Sequence, residues 1–225
     1  MINIARLKKQ EILWLFNHKC GHGHNFLEHP NCIEIEKPNM CPVFEKIGFL
    51  DIEASNLKAD FGIVFSYCIK EENGKILERI VSTKELNRGI YDKALIGQLC
   101  SDIRTFDRIV VYFGTDNRFD LPFLRTRAVF WEADFPIFKE IKVLDLYPVI
   151  KRKFQLHRNR LETACDFFGI PSKAHRLKPD IWFKAMTGQK DALNWILKHN
   201  REDVQSLEAL YHKVIKYANI SDTSI

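Results

Sequence analysis

The rhythm of apolar and polar positions changes near residue 44. Before that point the chain is polar with scattered prolines, and beyond it the apolar residues gather into short runs and then into longer stretches of helical period. Lys46 to Glu53 reads as a buried strand, Phe61 to Lys70 as a second and Ile76 to Ser82 as a third. Turn residues such as Asn73-Gly74 separate them, so the three predict an antiparallel meander. A helix is expected near Tyr91 to Arg104, a strand at Arg108 to Phe113, a helix from Leu121 to Phe130 and a short strand at Lys142 to Leu146. The order βββαβαβ predicts an α/β domain with a five-stranded mixed sheet flanked by helices. Leu161 to Phe168, Pro179 to Met186 and Asp191 to Lys216 read as further helices, with Gly169 and Gly188 where helices end. The expected division is residues 1–44 as an amino-terminal extension and residues 45–225 as the main domain.

Composition adds bounds to this picture. A chain of 225 residues, 46% apolar and with 17 phenylalanines, is long enough to bury one substantial core. A formal net charge of +5 is compatible with a polyanionic partner without requiring one. No run approaches the roughly 20 apolar residues of a membrane span. The amino terminus also lacks a signal peptide's apolar segment, so the expectation is a cytoplasmic protein in a reducing compartment, without a membrane. Cys68, Cys100 and Cys165 lie in apolar-rich segments and are expected as small buried hydrophobes.

Three segments carry candidate chemistry. In Phe49-Leu50-Asp51-Ile52-Glu53, two acids interrupt an apolar strand, and residues two apart share a strand face. Carboxylates so placed repel, and hard divalent cations such as Mg²⁺ or Mn²⁺ are their natural compensation. The segment from Tyr112 to Leu124 runs from a strand end through a polar loop to Asp120 at the start of a helix, where an ordinary N-cap is the alternative reading. In Lys198-His199-Asn200-Arg201-Glu202-Asp203, His199 and Asp203 stand i and i+4 on one helical face, as a solvated ion pair or core histidine also would.

Together these segments resemble the three exonuclease motifs of the DEDD superfamily, the ribonuclease-H-like 3′→5′ exonucleases that include the exonuclease domains of family B DNA polymerases. Asp51 and Glu53 match the first motif, Asp120 within Phe119-Asp120-Leu121-Pro122-Phe123-Leu124 the second, and Asp203 the third. The similarity runs from about Lys46 to Lys216, and Val143 to Ile170 resembles the family's connection between the second and third motifs. The resemblance implies a ribonuclease-H-like fold and four acids holding two metal ions about 3.5 to 4 Å apart, one activating water and the other stabilising the leaving 3′-oxygen. It implies that Asp51 bridges both ions, that Glu53 and Asp203 complete the site of the attacking water, and that Asp120 supports the second ion.

The family splits by the residue that orients or deprotonates the attacking water: a tyrosine four residues before the final aspartate, or a histidine five before it. This chain has His199 four before Asp203 and Lys198 at minus five. Either His199 serves the water, or the register turns it away by about 100° and Lys198 contacts substrate phosphate. Asn56 stands where many relatives have glycine. Leu57 matches the residue that wedges against the terminal base in relatives, with core packing as the alternative.

The extension carries a second group of ligands between Cys20 and Cys32. Four of them would bind zinc tetrahedrally, with Cys20, His24, His29 and Cys32 the expected set and His22 and Cys41 as substitutes; the other reading is a metal-free loop. A structural ion would supply folding free energy that so short a polar segment lacks.

Basic residues at Arg125 and Arg127, Lys151 to Lys153, Arg158 and Arg160, and Lys173 through Lys178, with Phe154, His157 and Trp182 among them, are candidates for phosphate contacts and base stacking. The expected partner is nucleic acid, DNA favoured and RNA as the other substrate. The competing readings are a ribonuclease-H-like endonuclease and a catalytically weak binding module.

Overall fold

In a computed structural model of the protein, residues 9–36, 45–115, 118–171, 178–218 and 224–225 are described. The chain divides into two compact units, Met1–Lys46 and Ile47–Ile225. The first holds α1 (Lys9–Asn17) and α2 (Pro30–Glu36). Between them a narrow hairpin is closed by a bridge from Lys19 to Asn25 and turned at Gly23, whose φ of 84° suits a residue without a Cβ.

The second unit runs β1 (Ile47–Ala54), β2 (Val64–Glu71), β3 (Ile76–Ile80), α3 (Thr83–Asn87), α4 (Lys93–Ile103), β4 (Arg108–Val111), α5 (Asp120–Phe130), β5 (Lys142–Asp145), α6 (Leu146–Lys153), α7 (Leu161–Phe167), α8 (Pro179–Met186) and α9 (Lys190–Val214). The strands form one mixed sheet in the order β3-β2-β1-β4-β5, antiparallel among β1 to β3 and parallel from β1 through β4 to β5. This is the five-stranded α/β architecture expected from the pattern. The pattern did not anticipate α6. That helix starts on Asp145, whose carboxylate accepts from the Tyr147 N–H at 2.9 Å, and Pro148 falls in its first turn, where no helical hydrogen bond is lost.

Alternation along β1 assigns the two faces of the sheet. Leu50 and Ile52 point into a core shared with Leu95, Leu99 and Leu124, whereas Ile47 and Phe49 point into a second core under Val204, Leu207 and Leu210 of α9. Continuing the second face by steps of two brings the chain to Asp51 and Glu53. The apolar end of α9 thus covers the start of β1, and the polar stretch of the same helix meets its acidic end. Arg201 pairs with Glu78 of β3, and Lys70 of β2 pairs with Glu208 at 2.9 Å, tying α9 across the antiparallel edge of the sheet. Cys68, Cys100 and Cys165 are buried, and none of the described cysteines is in a disulfide. Among the described residues no helix is long and apolar enough to cross a membrane.

Candidate active site

Asp51 and Glu53 sit at the carboxyl end of the central strand, beside the end of the parallel neighbour β4, where open α/β sheets place their ligand crevices. A register shift between Glu53 and Ala54 ends regular pairing with β2 at this point. A cleft of about 480 Å³ opens there, lined by Asp51, Glu53, Asp120 and Asp203 together with Leu57 and Phe113. Four acids from three distant stretches of sequence are therefore brought to one hollow.

From α9, the His199 Nε2 lies 3.7 Å from Asp203 Oδ2 and 3.8 Å from Glu53 Oε1. One ligand atom from each of Glu53, His199 and Asp203 fits within 4.8 Å of the others. The minus-four register thus points the imidazole into the acid cluster. Lys198 is exposed and carries its ammonium 5.9 Å over the Trp195 ring. Asn200, fully buried, directs its amide at Asp51, 3.3 Å from both the backbone oxygen and Oδ2.

Asp120 is the first residue of α5, and the cap position before it is Phe119, so the ordinary N-cap reading does not apply. Its carboxylate accepts a hydrogen bond from the Ile52 N–H, between the two acids of β1. Burial pushes its pKa up to about 7, with the like charges of Asp145 and Asp203 adding to the rise. Gly114 makes this approach feasible, because a Cβ there would stand 2.5 Å from Asp120 Oδ2 and 2.7 Å from the Val111 Cβ.

Asp145 holds the loop that delivers Asp120. From the end of β5 its carboxylate accepts from the N–H groups of Phe113, Gly114 and Thr115 at 2.9 to 3.2 Å, from the Thr115 hydroxyl at 2.9 Å and from Arg118. The Arg118 guanidinium also lies over the Tyr147 ring. These contacts hold Phe113 at a φ of 63°, a left-handed conformation that a non-glycine residue adopts at a cost. Neither Asp145 nor Asn200 stands out by sequence as part of a site. The available signals were weak: an acid at a strand end, and an amide on the buried face of a helix beside Asp203.

Leu57 is 80% exposed at the rim of the cleft, which removes core packing as its explanation. Several candidate substrate contacts require correction. Arg127 is buried and forms a two-pronged pair with Asp92, so it is structural. Trp182 packs its ring on Phe65 against the core, and Phe154 packs edge-on against Phe168 and Tyr217, so both are half-buried and engaged in internal ring contacts. Arg125, Lys151 to Lys153, His157, Arg158 and Arg160 are exposed, but the hollow at His157, Arg158 and Arg160 also carries Glu162 and Asp166 and is mixed in charge. Of the basic run that ends at the exposed Lys178, Lys173 and Arg176 lie outside the described residues, as does Cys41. In the amino-terminal unit, Cys20, His29 and Cys32 come together with His22, not with His24. The hairpin turn accounts for this: His24 lies past Gly23 on the returning strand and lays its ring against that of His29, with centroids 4.3 Å apart.

Among solved structures, the family B DNA polymerase from the hyperthermophilic archaeon Pyrobaculum calidifontis is similar over 77% of this chain, with a TM-score of 0.61 and 19% identity. The chain spans 25% of that polymerase, and at this identity the likeness is one of fold. No curated protein matches the chain. Residues 48–215, which include the four acids of the cleft and His199, match a family described as RNase_H superfamily. The protein belongs to the RNase_H superfamily.

Proposed function

We propose that this protein is a metal-dependent 3′→5′ exonuclease that hydrolyses phosphodiester bonds of nucleic acid, with single-stranded DNA as the favoured substrate and RNA as a second. The observation that carries this reading is the convergence of Asp51, Glu53, Asp120 and Asp203 on one cleft, with His199 among them. Superfamily membership and the polymerase-like fold support nuclease chemistry in general. The match of the four acids to the DEDD motifs supports attack from the 3′ end.

The donor set fits Mg²⁺ or Mn²⁺. It consists of carboxylate oxygens with one imidazole, and the burial and like charge that together lift Asp120 to about 7 are offset by divalent charge. When bound, two such ions would activate a water and stabilise the leaving oxygen. Asp51, Glu53, Asp120 and Asp203 would hold them, with Asn200 fixing the Asp51 carboxylate through its amide. His199, close to both Glu53 and Asp203, would orient the attacking water or accept its proton. Leu57, exposed beside the acids, would pack against the terminal base.

The test is incubation of the purified protein with 5′-labelled single-stranded DNA and RNA in Mg²⁺, Mn²⁺ or EDTA, with Asp51→Ala in parallel. A metal-dependent ladder shortening from the 3′ end, absent in the variant, is the expected result. Internal fragments would instead identify an endonuclease, and equal binding by both proteins without cleavage would identify a binding module.

A further inference from the structure

The described part of the amino-terminal unit has a small apolar core. Among its described residues the buried apolar side chains are Leu15, Cys20, Phe26 and Ile33, with Ile12, Trp14, Leu27 and Cys32 packed around them. A core of this size does not ordinarily hold two short helices and a hairpin against chain entropy without a disulfide or a metal. Its described cysteines, Cys20 and Cys32, are not disulfide-bonded.

Four side chains meet beside that core. Cys20 Sγ lies 3.8 Å from the Nδ1 atoms of both His22 and His29, and Cys32 Sγ lies 3.4 Å from His22 Nδ1 and 3.8 Å from His29 Nδ1. All four sulfur–nitrogen edges are therefore short and nearly equal. Hydrogen bonds do not account for them. Each thiol has one proton, and each Nδ1 has either one proton or one lone pair, so good bonds would serve about two of the four contacts. A zinc ion with bonds of about 2.3 Å to sulfur and 2.0–2.1 Å to nitrogen, at tetrahedral angles, spans sulfur–nitrogen edges of about 3.5–3.6 Å. The four observed separations bracket that value.

We infer that Cys20, His22, His29 and Cys32 form a closed tetrahedral site for a structural zinc ion that pins the hairpin to the start of α2. Two thiolates and two neutral imidazoles neutralise a divalent cation, and four protein ligands leave no open position for chemistry. The hairpin supplies Cys20 and His22, and the segment entering α2 supplies His29 and Cys32, so one ion clips two stretches of backbone beside their small shared core. His24 lies tilted against a ligand ring without being a ligand.

The site stands apart from the nuclease reading and is tested separately. Elemental analysis of the purified full-length protein should find one zinc per chain. Replacement by Co²⁺ should give the absorption of cobalt bound to thiolate, which carboxylates cannot produce and which Asp51→Ala should therefore retain. Cys20→Ser with Cys32→Ser, and His22→Ala alone, should each lower zinc content at least roughly tenfold, whereas His24→Ala should leave it unchanged and His22→Cys should restore a ligand and keep the metal. The last variant guards against mistaking misfolding for ligand loss. Absence of zinc from a protein refolded with Zn²⁺, or full zinc content in the double cysteine variant, overturns the site. Loss of zinc in His24→Ala with retention in His22→Ala overturns the ligand set.

Discussion

Asp92 and Asp120 are both buried aspartates beside helix starts in the same unit, and the fold treats them in opposite ways. Asp92 accepts two bonds from the Arg127 guanidinium at 2.6 and 2.9 Å, one from the Trp131 indole at 2.8 Å and one from the Val64 N–H at 2.9 Å. Asp120 takes a hydrogen bond from Ile52, but its burial, with the like charges of Asp145 and Asp203 beside it, drives it toward the protonated form. Arg127 lies only seven residues further along the same helix, yet it turns to Asp92. A fold able to neutralise one buried carboxylate so completely has left another crowded by like charge, an arrangement expected where a cation or substrate supplies the compensation.

The sharpest test of that contrast is Asp51→Ala. Activity should fall by on the order of 10³-fold, with the melting temperature held or raised, because the change relieves crowding at a site organised for binding. Nuclease rate per folded molecule and thermal unfolding in EDTA measure the two halves. Arg127→Ala should do the reverse. It strands the Asp92 charge and should cost about 3–5 kcal/mol in urea unfolding, while molecules that remain folded keep their activity. A stable Arg127→Ala protein with lost activity would return this arginine to the substrate surface.

Asp145→Asn sits between the two cases, since Asp145 serves the active site by holding a loop. Loss of its charge should lower stability by about 2 kcal/mol and activity by roughly tenfold, as Asp120 loses its fixed position. Unchanged activity would show that the loop holds without the charge.

Asp120→Asn in EDTA checks the sign of the buried charge. The folded pKa of about 7 lies above the ordinary value of 3.8, so the native state keeps a proton that the unfolded chain has released. Stability therefore falls as pH rises from near 4 through about 7, and the penalty is complete above that. The asparagine variant escapes it and should melt about 4–8 °C above wild type at pH 8, with the gain shrinking toward pH 5. A gain independent of pH would remove the charge from the account. Leu57→Ala should have the smallest effect: a rise of several-fold in KM for single-stranded substrate, with stability within about 0.5 kcal/mol, since the side chain already stands in solvent.

Much of this protein is written in local periods. Alternation in β1 places Asp51 and Glu53 together on one face, helical spacing puts His199 beside Asp203, and glycines at 169 and 188 with φ of 67° and 75° end their helices where the pattern expects. These features need only a strand's period of two, a helix's of 3.6, or a residue without a Cβ. The short helix α6 was not legible, because its apolar positions Leu146, Val149 and Ile150 run straight on from β5 and the boundary between strand and helix is set by the Asp145 cap.

The choice of partner belongs to the tertiary structure. The sequence alone established an α/β chain whose acids fall in an order matching known exonuclease motifs, and it marked a cluster of soft ligands ahead of them. Packing decided that Arg127 answers Asp92 and not a phosphate, that Asp145 grips the loop before Asp120, that Leu57 faces solvent, and that His22 and not His24 meets the two cysteines. Each of these depends on segments brought together by turns and by the sheet order β3-β2-β1-β4-β5, and a carboxylate's charge state follows from whichever groups arrive beside it.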